Sequence, residues 1–327
     1  MPASFRRGRV SAITERHAGL VRLAVDGRPC VAYPRLTGPV ALGDDVVVNT
    51  QAADLGLGSG GFDVLAVNLT RGIDLAPEPG AHVMKLPYTP LQVAAVHLEE
   101  AGLGAVALDG LPVVCCTLHS QLAPVCAGLG PGRRVAYAQL AGGALPVSLS
   151  DAVRSLRRAG LLETSIAVGP CVDGDVACVS AASALGWVKA EGYDAAVCAI
   201  GPGIVGTGTA FGHGGLSAVE ALDAAGALGG RAILAPRLSS GDERARHRPV
   251  SHHTLAVLEL VSRRPAVAWP AGLEAPEVVR PVEEVDADGW RDACSGLPLE
   301  SMGRGPEDEP WLFAAAFAAG RLAGTRL

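Results

Sequence analysis

"DAAVCAIGPGIVGTGTAFGHGGLSAVEALDAAGALGG", Asp194 to Gly230, decides the fold. Its opening, Ala195 to Ile200, is a short apolar run without polar alternation, the pattern of a strand buried on both faces. From Leu216 onward the apolar residues recur at helical spacing, and Gly229 and Gly230 close the run. Strand, loop and helix in that order form the repeating unit of a parallel α/β sheet. Between them lies the question of function, because Ile200 to Gly215 holds seven glycines in sixteen residues.

Gly201, Gly203 and Gly206 spell G-x-G-x-x-G. A dinucleotide fingerprint needs a helix to open directly on that turn, so that its N-terminus faces a pyrophosphate. Here "TGTAFGHGG" intervenes, and the motif sits late in the sheet, so that mechanism is lost. Thr207 stands where a Walker A loop needs lysine. Two readings remain for the loop. One is an anion cradle of backbone N–H groups with the hydroxyls of Thr207 and Thr209. The other is close packing of backbone against backbone, within the chain or between subunits.

The same rhythm extends on both sides. "LPVVCCTL", "RVAYAQL", "ETSIAVG", "RAILAP" and "PAVAWP" read as further buried strands. "SDAVRSLRRAG", with Ser150 as N-cap, "DVACVSAASALGWVKAEG" and "SHHTLAVLELVSRR" read as helices. Upstream, "GRVSAIT", "LVRLAVD", "PCVAYP", "DDVVVNT" and "FDVLAVN" are short β-branched runs between Gly, Pro and Asp turns. Five strands at this spacing predict a small antiparallel barrel. "HVMKL" and "LQVAAVHLE" add two strands around the bend "PYTP". The predicted fold class is α/β: an N-terminal antiparallel β-barrel, then a Rossmann-like parallel sheet with helices on both faces. The predicted boundaries are 1–106 for the barrel domain, 107–270 for the α/β domain, and 271–327 for an acidic, loop-rich tail with a final helix from Pro310 to Leu322.

The net charge of −6 is concentrated in that tail, where residues 271–327 carry five Arg against eleven acids. A neutral body argues against a broad nucleic-acid or membrane surface. Met1 to Arg9 lacks the apolar stretch of a signal peptide, and "WLFAAAFAAG" is too short to span a bilayer, so a cytoplasmic location is expected. The eight cysteines include no C-x-x-C and read as reduced, buried residues. Lys85, one of two lysines in the chain, reads as an exposed strand residue.

In an open parallel sheet, ligands bind beyond the carboxyl ends of the strands. That edge comprises Thr117–Pro124, Ala141–Ser148, Gly169–Asp175, Gly201–Gly215 and Pro236–His253. Ser251 is an N-cap candidate that puts His252 and His253 in the first turn of a helix, where the dipole favours neutral imidazole. Neutral imidazole accepts protons or binds metals, but the spacing matches no established zinc motif. Arg244, Arg246 and Arg248 offer charge for an anion. His119 stands in the first strand-to-helix loop as a second acid or base.

"GRV", "YPRLTGPV", "DLGLGSGGFDV", "HVMKLPYTPLQ", "GPGIVGTGT" and "HRPVSHHT" together carry a resemblance. From about Arg6 to Trp269 the chain resembles a mainly actinobacterial family designated domain of unknown function 3866. The resemblance implies a bacterial, cytoplasmic protein and carries over no catalytic role.

The leading expectation is an enzyme acting on a small anionic metabolite at the carboxyl edge. Gly201, Gly203, Gly206, Thr207, Gly208, Thr209, His213 and Arg248 would bind the anion, and His252, His253 or His119 would move a proton. The alternative is a non-catalytic module that senses a small molecule or contacts a protein, and a third reading is a homo-oligomer packed through the glycine loop. No cofactor and no metal ligand is assigned from the residues, metal dependence is left open, and neither nucleic acid nor membrane is an expected partner.

Overall fold

The structure is a computed structural model that describes residues 3–56, 60–102 and 106–325, so 57–59 of "DLGLGSGGFDV" lie outside the described residues. The chain divides into two compact units, Met1–Val96 and His97–Leu327.

The first unit is a closed five-strand barrel of order β1-β2-β3-β5-β4. Its strands are β1 (Phe5–His17), β2 (Leu20–Val25), β3 (Arg28–Ala32), β4 (Asp45–Asn49) and β5 (Asp63–Asn68). The turn between β2 and β3 holds Asp26 at φ 49° and Gly27 at φ 79°, the left-handed pair that a two-residue hairpin demands. Alternating residues of the strands, among them Val21, Leu23, Val25, Val46, Val48 and Leu65, fill the barrel. The barrel departs from the expected antiparallel pattern at one seam, where β3 and β5 run parallel. The connection from Tyr33 to Phe62 carries α1 (Pro34–Thr37), β4 and α2 (Gln51–Asp54), long enough to bring β5 back in the direction of β3. A separate hairpin pairs β6 (Val83–Lys85) with β7 (Val93–Ala95). Lys85 is buried at 2% exposure, contrary to the surface reading, because alternation along β6 turns Met84 out and Lys85 in.

The second unit is built on an eight-strand, all-parallel sheet of order β11-β10-β9-β12-β8-β13-β14-β15. In chain order these are β8 (Pro112–Cys116), β9 (Val135–Leu140), β10 (Thr164–Val168), β11 (Val176–Cys178), β12 (Ala195–Ile200), β13 (Arg231–Ala235), β14 (Ala266–Pro270) and β15 (Glu283–Val285). Helices cover both faces. Ala181, Ala184 and Leu185 of α5 (Ala181–Ala190) and Ala218, Ala221 and Leu222 of α6 (Ser217–Ala227) pack on one side. On the other lie α3 (Leu122–Leu129), α4 (Asp151–Arg158) and α9 (Pro310–Gly324). The remaining helices are α7 (His252–Leu260) and the short α8 (Trp290–Ala293). All eight cysteines are free and buried. Among the described residues no helix is long and apolar enough to cross a membrane.

Two elements differ from the sequence reading. "DVAC" forms the edge strand β11 rather than the start of a helix, because Ser180 accepts a hydrogen bond from the Ser183 amide and so starts α5 after it. "PAVAWP" is not the last strand, since Glu283–Val285 adds β15 beside β14. Residues after 270 therefore enter the sheet. Helix α9 also docks closely: a Cβ built on Gly320 would lie 2.0 Å from the Val125 carbonyl oxygen of α3, and one on Gly128 would lie 2.2 Å from the Phe317 oxygen. Only glycine permits backbones this close.

The strand order places the site. β8 and β9 are separated by β12, so the connections after β8, β9 and β12 diverge to different neighbours at the centre of the sheet. Such a switch point opens a crevice at the carboxyl edge.

Candidate functional site: a histidine cluster at the carboxyl edge

The loop after β12 packs on the loop after β9. Ala144 N–H donates to the Pro202 oxygen at 2.8 Å, and Val205 N–H to the Gly142 oxygen at 2.9 Å. A Cβ on Gly201 would meet the Ala144 oxygen at 2.0 Å, and one on Gly142 the Gly214 oxygen at 2.3 Å. Gly203 adopts φ +70°, which favours glycine. These glycines serve backbone contact within the chain. The tip beyond them is a small exposed hairpin in which Gly206 bridges to His213. Thr207 N–H donates to the Gly212 oxygen at 2.7 Å, and the Thr207 and Thr209 hydroxyls bond each other at 2.8 Å. Gly208 is uncrowded, and a Cβ there would lie 3.9 Å from the Arg246 guanidinium. Helix α6 starts only at Ser217, so no helix N-terminus faces this turn. The hairpin has one consequence for the interior: it delivers His213, buried at 7% exposure, to the crevice.

The loop after β13 doubles back on itself. Leu238 bridges to Val250, Ser239 N–H donates to the Pro249 oxygen, and Ser251 N–H donates to the Arg237 oxygen. Closure of the loop carries His247 inward and sets Ser251 at the start of α7, where its Oγ accepts from the His253 N–H at 3.2 Å. The same hydroxyl bonds Nδ1 of His247 at 2.7 Å.

Four imidazoles thus meet. His213 and His253 stack with ring centroids 3.9 Å apart and 19° between planes. His252 lies 5.2 Å from His213 and 4.5 Å from His253, and His247 lies 5.0 Å from His252 and 5.2 Å from His253. Burial, then His252, lowers the His213 pKa to about 4. Burial and the charges of Arg237 and Arg244 lower that of His247 to about 3. Burial lowers His252 and His253 as well, with Arg246 the next cause for the first and Arg237 for the second. All four rings are therefore neutral near pH 7. Nδ1 and Nε2 of His213 and Nε2 of His252 are buried and meet no partner at full hydrogen-bond geometry, with the Ala210 backbone the one polar group that acts on both rings and raises their pKa. Buried polar atoms left this way cost about 1–3 kcal/mol each, which is why native proteins rarely keep them without a use.

The cluster is held by an ion-pair network. Arg237 Nη1 lies 3.0 Å from His253 Nδ1, and its Nη2 lies 3.4 Å from Asp242. Asp242 also accepts from Arg244 at 2.7 Å and from Arg304 at 2.9 Å. Glu309 accepts from Arg304 at 2.8 Å and from Ser239 Oγ at 2.7 Å. Residues 304–309 thereby fasten the histidine loop.

The sequence candidates separate accordingly. His213, His252 and His253 come together. His119 is engaged elsewhere: its Nδ1 lies 3.0 Å from the Ile200 oxygen and its Nε2 2.7 Å from Ser150 Oγ, a hydroxyl that also caps α4. Arg246 and Arg248 are both exposed and Arg244 is spent on Asp242; of the three, it is Arg246 that lies beside both the hairpin tip and His252. His247, Arg237, Asp242, Arg304 and Glu309 were not singled out from the sequence. Four histidines in so short a span of loops was the available signal; the fold-back that unites them was not visible.

Over residues 29–320 the chain matches the model of a family described as protein of unknown function (DUF3866). A comparison with curated proteins returned no match.

Proposed function

The chain belongs to the DUF3866 family, and from its own residues we propose an enzyme that acts on a small anionic molecule at the carboxyl edge of the parallel sheet. One observation carries this reading: neutral imidazoles gather there with three buried ring nitrogens lacking a partner of full geometry. His252 is the acid or base of choice. It is only half-buried, its Nε2 has no partner of full geometry, and its depressed pKa keeps it ready to accept a proton. His253 is the weaker choice, since Arg237 already occupies its Nδ1. Arg246 supplies charge for the anion at the mouth, between the hairpin tip and His252. The glycine loop shapes the wall and presents His213.

A thermal-shift screen of anionic metabolites finds the ligand, because a molecule that binds only the folded state raises its melting temperature. Mass spectrometry of the incubated hit then reads turnover. The expected result is product formation that falls at least 100-fold in the His252→Ala, His253→Ala double variant, with weaker ligand binding in Arg246→Ala. Turnover unchanged in the double variant overturns the reading. Binding without any product favours a sensing module instead.

A further inference from the structure

We propose that His213, His252 and His253 form a three-histidine site for a borderline divalent transition-metal ion of the Zn2+ type. The inference goes beyond the reading above and revises one role in it: an ion held by His252 uses that ring's free lone pair, so His252 then serves as a ligand and not as the acid or base. One ring nitrogen from each of the three lies within 4.8 Å of the others. To bind one ion together, the stacked rings of His213 and His253, now 19° apart in plane, must tilt so that their in-plane lone pairs converge. The donors come from two loops fixed independently, the β12 hairpin and the capped start of α7.

The poorly partnered nitrogens point the same way. A purely structural histidine in a protein interior finds acceptors or donors, as His119 does with Ile200 and Ser150. His213 and His252 keep three buried nitrogens with no partner of full geometry, served only by the Ala210 backbone, which acts on both rings. An ion would use one lone pair from each ring. The donor set is nitrogen only, which selects Zn2+, Co2+, Ni2+ or Cu2+ over Mg2+ and Ca2+. Three protein ligands leave a coordination position for water or an anion, the arrangement of catalytic rather than structural zinc.

His253 sets a condition. Arginine can only donate, so Nδ1 of His253 accepts from Arg237. The ion must displace Arg237 at that nitrogen, because binding at Nε2 while Nδ1 still accepts from Arg237 would require the ring to become an imidazolate anion. Asp242, paired with Arg237 and Arg244, offsets part of the positive charge that would otherwise repel a dication.

The test uses the full chain without an affinity tag, stripped with a chelator and titrated with Zn2+ alone. Calorimetry and elemental analysis should give one tightly bound equivalent. His213→Gln and His252→Gln should each weaken it by more than the roughly 10–100-fold expected for loss of a supporting residue alone. His17→Gln and His82→Gln, at histidines of the barrel unit, should leave it unchanged. Melting of each metal-free variant reports folding. If a variant fails to fold, the visible spectrum of Co2+ in the wild-type protein decides: an intense four-coordinate band supports the site, and a weak six-coordinate band overturns it. No bound equivalent, or equal binding in both cluster variants, also overturns it. The measurement contains no substrate, so its failure leaves the turnover reading untouched, and the reverse holds.

Discussion

The guanidinium of Arg237 lies 3.0 Å from Nδ1 of His253, inside a pocket where both side chains are buried. Because arginine carries no lone pair to offer, the bond fixes which nitrogen of His253 holds the proton. In the metal-free protein at pH 7, nitrogen NMR of the imidazoles should show His253 as the Nε2–H tautomer. Arg237→Met should release that preference. A wild-type spectrum with His253 protonated on Nδ1 would contradict the geometry.

Asp242 is buried and accepts from three arginines, and its hydrogen bonds with Arg244 above all hold its carboxyl well below the usual range. Asp242→Asn removes the charge and leaves the arginines uncompensated. Breaking a buried network in this way costs about 3 kcal/mol. Urea unfolding of the second unit should show that loss, whereas Glu277→Gln, on an exposed side chain, should change stability by less than about 0.5 kcal/mol.

The glycine loop divides into positions that forbid a side chain and positions that admit one. Gly201→Ala places a Cβ 2.0 Å from a backbone oxygen, so the β9 and β12 loops must part. Overpacking of this kind costs about 1–3 kcal/mol. Gly208→Ala meets only the mobile end of Arg246, at 3.9 Å, and should leave the melting temperature unchanged. Equal effects of the two changes would mean that the loops do not pack as described.

Burial lowers the His119 pKa from 6.5 to about 4. The unfolded chain then binds more protons than the folded one between those values, and stability falls as pH drops through that window. The contribution is fully present above pH 6.5 and gone below about 4. Unfolding at pH 7.5 and pH 4.5 should show His119→Gln losing about 2 kcal/mol less than wild type, after allowance for the ring's partial exposure. Equal losses would remove His119 as a source of acid sensitivity.

The central strands were legible because each is a local apolar run followed by a helix with its own cap, as at Ser150 and Ser251. The edge strands were not. β11 and β15 span three residues each, and Glu283 and Glu284 make β15 read as polar loop because it is exposed at the sheet margin. The parallel β3–β5 seam was also hidden, since register between distant strands is set by tertiary pairing. In the site, His252 and His253 were legible from their position after a cap. His213 was named for its loop rather than for the cluster it joins. Arg237 and His247 stayed out of view because the Leu238–Val250 bridge, which folds their loop, leaves no periodic signal.

The fastening of the histidine loop by Arg304 and Glu309 also sets an order of assembly during synthesis. By the time His253 is translated, every imidazole of the cluster has been made, but the residues that lock their loop have not. The cluster is therefore completed only after residues 304–309 have been made. A product terminated before Arg304 would carry all four histidines without the ion pairs that fix the spacing among them.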